Sequence, residues 1–182
     1  MSGFLRGRGK HQPGRRDGRA SRGFTLIELL VVISVTAVLL GLAAPSFQEA
    51  SLSSKLSSNA NRLVASAAMA RSEAIKRNAV TTLCVSTDAA TCAGVAGWEK
   101  GWVILSGTTV VHYEQPAPAG FKITESASIH TISFRSTGVG STQATFTVCR
   151  ATPTVGAQER EVRVSATGRT SVKRPLTPGS CS

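Results

Sequence analysis

The chain has 182 residues and a mass of 19.0 kDa, room for one ordinary domain with something attached. Hydrophobic residues make up 41% and charged residues only 17%, which excludes a wholly disordered chain. Lys plus Arg number 21 against 10 Asp plus Glu, a net +11 that invites a nucleic-acid reading, but the charge is unevenly placed. Residues 1–23 hold seven of the cations and one acid, Asp17, so more than half the excess sits in an eighth of the chain. The overall charge is therefore a poor guide to partners.

Residues 1–23 are rich in Gly and Arg and cannot form a core. Residues 24–44 follow, 21 residues with a single charge, Glu28. As a helix they span about 31 Å, which matches a hydrocarbon core of about 30 Å. The cations ahead of the run predict one membrane span, with the N-terminus cytoplasmic and the rest carried across. A secretory signal peptide also starts with basic residues, but its apolar stretch is about 7–15 residues, shorter than this one. A plain anchor does not explain Glu28. A carboxylate inside a membrane costs about 2.5–3.5 kcal/mol near a helix centre, less near an end, and calls for a partner.

The residues around Glu28 supply one. Arg22-Gly23-Phe24-Thr25-Leu26-Ile27-Glu28-Leu29 resembles the processing site of type IV prepilins and pseudopilins. The resemblance implies that a prepilin peptidase cuts between Gly23 and Phe24 and N-methylates Phe24. Glu28 would become the fifth mature residue and pair with the Phe24 amine of a neighbouring subunit, giving it an assembly role. The Arg-Gly leader looks like an RNA-binding segment, but cleavage would remove it. Pro45 falls where pilin helices commonly carry a helix-bending proline.

Residues 46–78 contain neither Gly nor Pro. Leu52, Leu56, Leu63, Ala67, Ala70 and Ala74 recur at helical spacing, with Val64 and Ile75 adjoining the stripe. The pattern predicts an amphipathic helix over 45–79 that continues the span and lays one face on a globular head.

From residue 80 the texture turns to β. Short runs rich in Val, Ile, Thr and aromatics occupy 80–85, 101–105, 108–113, 121–124, 129–134, 144–150 and 160–166, most of them separated by Gly, Pro or Ser. The reading is an α+β fold: a long N-terminal helix packed on an antiparallel sheet or sandwich over 80–182, ending in a basic C-terminal tail. Four cysteines, Cys84, Cys92, Cys149 and Cys181, all lie in this head. Four cysteines permit three disulfide connectivities and sequence alone does not choose, though pairing sequence neighbours is simplest. No C-x-x-C pair or suitably spaced His argues for zinc, so neither metal nor cofactor is expected.

Trp98-Glu99-Lys100-Gly101-Trp102, then Phe134 to Gly138, then Gly168-Arg169, resemble in order the W-x-x-G-W, F-x-x-x-G and terminal G-R elements of the GspH/FimT pseudopilin family. Both tryptophans are expected to pack in the core or a loop, and Gly138 to serve a turn. Catalysis is not expected: His112 and His130 lie in predicted strands without a nearby carboxylate motif, and no nucleophile elbow, P-loop or HExxH occurs. The resemblance implies a minor subunit of a type II secretion pseudopilus, anchored in the bacterial inner membrane with its head in the periplasm and partnered by prepilin peptidase and other pilins. FimT-like members instead bind double-stranded DNA during uptake through a cationic tail with a G-R-x-R motif. Here Thr170-Ser171 follows Gly168-Arg169, so the second arginine is missing, and Arg169, Lys173 and Arg174 are the candidate phosphate contacts.

Overall fold

The computed structural model describes residues 23–152, 158–175 and 181, apart from the side chains of 42–46. Residues 1–22 of the 1–23 leader and the side chain of Pro45 lie outside that description. The chain divides into two compact units, Met1–Ala43 and Ala44–Ser182. Helix α1, Leu26–Arg77, begins in the first and ends in the second.

In the first unit, Thr25 starts the helix. Its carbonyl accepts from Leu29 N–H at 3.1 Å and its hydroxyl accepts from Glu28 N–H at 3.2 Å. This is one half of a capping box, Thr-x-x-Glu, and it puts an acid in the first turn, where the helix dipole favours one. The apolar side chains that follow, such as Leu30, Val31 and Leu39, are exposed. Among the described residues no helix is long and apolar enough to cross a membrane. The described side chains of this apolar run stop at Gly41, short of the 24–44 stretch read from the sequence.

In the second unit the helical stripe packs as its spacing predicts: Leu52, Leu56, Ala60, Leu63, Ala67, Ala70 and Ala74 are all buried. Ile75, adjoining the stripe, is half exposed on the helix flank. The helix ends in a paired C-cap. Asn78 takes a left-handed φ of 49°, Asn78 N–H donates to the Ile75 carbonyl, and Ala79 N–H donates to the Ala74 carbonyl, both at 3.2 Å.

Eight strands follow among the described residues: β1 (Thr81–Val85), β2 (Trp102–Ser106), β3 (Thr109–Glu114), β4 (Phe121–Glu125), β5 (Thr131–Phe134), β6 (Ala144–Arg150), β7 (Arg160–Val164) and β8 (Thr170–Lys173). A 3-10 turn, Trp98–Lys100, precedes β2. All pairings are antiparallel and form two four-stranded sheets, ordered β3-β2-β1-β5 and β4-β6-β7-β8. Inward residues of both sheets, among them Leu83, Ile104, Phe134, Phe146, Val148 and Val162, join the helical stripe in one core. Trp98 packs edge-on against Phe146 of the second sheet (centroids 5.0 Å apart, planes at 80°) and lies 6.3 Å from Trp102 of the first. The two tryptophans are therefore core residues that join the sheets.

The basic C-terminal tail read from the sequence is corrected in part. Residues 170–173 pair with 161–164 as the edge strand β8. A four-residue strand with mostly exposed side chains and a lysine at its end has no buried alternation to betray it.

Candidate functional site

Sequence reasoning singles out three places. At the first, Gly23, Phe24 and Glu28 lie at the start of α1, with Phe24 exposed. Thr25, which sequence reasoning passed over, caps this turn; its Thr-x-x-Glu spacing was the available signal.

The second place is where two glycine turns meet the helix. Gly138 (φ 77°) and Gly168 (φ 74°) both need the left-handed region that glycine adopts without penalty. A Cβ on Gly138 would lie 2.8 Å from Ile75 Cδ1 and 3.1 Å from Arg71 Nε. One on Gly168 would lie 2.5 Å from the Gly138 carbonyl and 3.3 Å from Arg71 Cδ. The two glycines of the sequence motifs thus close on Arg71, whose Nη1 donates weakly to the Gly168 carbonyl at 3.4 Å.

The third place, the set of candidate DNA contacts, is dispersed. Arg169 is exposed in the turn before β8 and lines a groove of about 440 Å³ with Arg71 and Ser72. Lys173 Nζ lies 3.5 Å from Glu161 Oε1, a carboxylate that also binds Arg163 Nε at 2.5 Å. Arg174 lines a different cavity, together with Arg160.

The cysteines pair as sequence neighbours, Cys84–Cys92 and Cys149–Cys181. His112 does have a carboxylate beside it, a correction to the sequence reading. Glu114 lies two residues along β3, on the same strand face, with Oε2 3.4 Å from Nε2. Glu114 is engaged chiefly by Arg62, whose Nη2 lies 2.6 Å from Oε1. His130 Nδ1 is buried without a hydrogen-bond partner among the described residues.

The comparisons with known proteins fit this arrangement. A family described as "Type II transport protein GspH" matches residues 59–168, and one described as "Prokaryotic N-terminal methylation motif" matches residues 18–44. The chain belongs to the GspH family. Type II secretion system protein H of Pseudomonas aeruginosa is 46% identical over 71 residues, 39% of this chain and 41% of that protein. Pilin-like protein PilA1 of Thermus thermophilus is 45% identical over 69 residues, 38% of this chain and 43% of its own length. These matches span about two fifths of each relative. Among solved structures, the type IV minor pilin FimU of P. aeruginosa superposes with a TM-score of 0.56 and 22% identity, covering 69% of this chain and 96% of that one. That likeness shows the fold of this GspH member: a pilin-like helix on an antiparallel β head.

Proposed function

We propose that this chain is a minor pseudopilin, a structural subunit of a type II secretion pseudopilus. The observation that carries the reading is the order of parts in one chain: a methylation motif over 18–44 directly ahead of a GspH match over 59–168. In this reading prepilin peptidase cuts between Gly23 and Phe24 and methylates Phe24. Residues 24–44 then hold the protein in the bacterial inner membrane, N-terminus cytoplasmic, with the head in the periplasm. Assembly with other pilins draws Glu28 to the Phe24 amine of a neighbour, and the chain has no catalytic task.

Glu28→Ala tests this by leaving membrane insertion intact while abolishing recovery of the chain in filaments. Because Glu28 also belongs to a helix cap, Glu28→Gln is the sharper variant. Glutamine still serves a capping box but carries no charge. Filament incorporation should fall with both variants, and normal incorporation of Glu28→Gln would remove the charge-pairing role.

The rival reading is a FimT-like minor pilin that binds double-stranded DNA. It would draw on Arg169 and Arg174, since Lys173 is ion-paired with Glu161. Two phosphate contacts give a log–log salt slope of about −1.8, against about −2.7 for three. A slope of about −1.8, lost in Arg169→Ala with Arg174→Ala, would favour DNA uptake over secretion.

A further inference from the structure

Arg160 opens β7 as a buried residue, only 5% exposed, and its guanidinium reaches back to α1. Nε donates to Ser57 Oγ at 3.1 Å, Nη2 to Ser53 Oγ at 2.7 Å, and Nη1 to the Glu159 carbonyl at 2.8 Å. These acceptors are neutral, and among the described residues Arg160 takes part in no ion pair. Burial pushes its pKa below the usual arginine range, and the nearby charge of Arg174 adds to the effect. Both cations line one cavity of about 460 Å³, bounded also by Glu49, Ser53, Gln158 and Glu159.

A buried cation whose hydrogen-bond acceptors are all neutral is costly, so an anion placed against the Arg160 guanidinium would offset that cost. The cavity holds complementary groups as well. Glu49 is exposed on α1, and Gln158 Oε1 is buried with no hydrogen-bond partner among the described residues. A ligand that suits the whole cavity therefore carries an anion and an N–H-bearing cation a few bonds apart.

We propose that this cavity binds a zwitterionic lipid headgroup, its phosphodiester on Arg160 and Arg174 and its primary ammonium on Glu49 and Gln158. Position along the chain points to lipid as the source. Glu49 follows Ala44, the end of the apolar run, by five residues of α1, about 8 Å of helix rise. The headgroup layer is itself about 5–8 Å deep. The lipid assignment, though not the binding chemistry, rests on the membrane-anchor reading.

The test uses the full chain in detergent micelles, melted with glycerophosphoethanolamine, glycerophosphocholine and inorganic phosphate in turn. The ethanolamine compound should raise the Tm and bind about tenfold more tightly than the choline compound, whose quaternary nitrogen has no N–H to donate. Glu49→Gln should erase that preference and Arg174→Ala the response to both; each side chain is exposed, so neither change disturbs the core. Native mass spectrometry of chain released from membranes should find phosphatidylethanolamine retained over phosphatidylcholine by a similar factor. No Tm response, or responses that both variants leave unchanged, would overturn the site. Equal responses to the ethanolamine and choline compounds would overturn the ammonium contact, and inorganic phosphate acting as strongly as either would make this a free-anion site. Carbonate extraction reads the anchor separately: release of the chain would end the lipid assignment while leaving the micelle result intact.

Discussion

A single carboxylate organises the loop that the Cys84–Cys92 disulfide closes. Asp88 Oδ1 accepts from the N–H groups of Ala90 and Thr91 and from the Ser86 hydroxyl, and Oδ2 accepts from the Thr91 hydroxyl at 2.6 Å. These bonds, led by the Thr91 hydroxyl and then the backbone N–H groups, hold the Asp88 carboxyl far below the usual aspartate range. The folded state therefore binds this proton less readily than the unfolded chain. The stability it contributes is present above the unfolded pKa near 4 and is lost as pH falls through the folded value. The urea midpoint of the wild type should drop as pH is lowered from about 5 to 3. In Asp88→Asn the drop should be shallower, though not absent, because the Arg77 hydrogen bond lowers Glu73 in the same sense. Parallel acid limbs in the two proteins would refute the role given to Asp88. A second residue-scale lock is wholly internal: Trp102 Nε1 donates to Ser66 Oγ at 2.9 Å, tying β2 to α1.

Among elements, the meeting of two turns with α1 at Arg71 is the most exposed to failure. Gly138→Ala must place a Cβ against Ile75 and Arg71 while holding a left-handed backbone, a combination that should cost about 2–4 kcal/mol. The nearest atom belongs to a flexible side chain, so the same change made in an Ile75→Ala background should cost less, with the backbone part and the Arg71 contact remaining. Urea melts of the four proteins measure that difference, and strict additivity would show that Ile75 is not the obstacle. This junction also marks what sequence can and cannot say. The turn at Gly138 was legible because a glycine after a β run serves few other purposes, and the buried helical stripe was legible because 3.6-residue periodicity survives in Leu52, Leu56 and Leu63. Arg71 was not legible, since nothing local marks a helical arginine that two distant turns will enclose. Strand β8 stayed hidden for a related reason: its Thr and Val lie on an exposed edge, where no burial pattern sets them apart from a polar tail. Arg160 and Ser53 meet across more than a hundred residues, and no spacing rule reaches that far.

Across the whole of the second unit, polar clamps and disulfides divide the work of holding helix and sheets together. Arg62 binds Glu114 at the end of β3, Trp102 binds Ser66, and Arg160 binds Ser53 and Ser57 from β7, so α1 is tied to both sheets between Ser53 and Ser66. The disulfides act elsewhere. Cys84–Cys92 closes a local loop at the end of β1, with a sequence separation of 8, whereas Cys149–Cys181 pins the chain beyond β8 back onto β6, with a separation of 32. If both act by restricting the unfolded chain, their contributions scale with loop length, roughly 2.6 kcal/mol for the first and 3.7 kcal/mol for the second. The double variant Cys149→Ala with Cys181→Ala should therefore lose more stability than Cys84→Ala with Cys92→Ala, as read by urea melts of the detergent-solubilised chain. The opposite order would show that loop length does not set the ranking, because Cys84 and Cys149 are both buried in central strands of their sheets. A free C-terminal segment in the Cys149→Ala, Cys181→Ala variant should also admit protease just after β8. Resistance there would mean that the ladder between β7 and β8 holds that end without the disulfide.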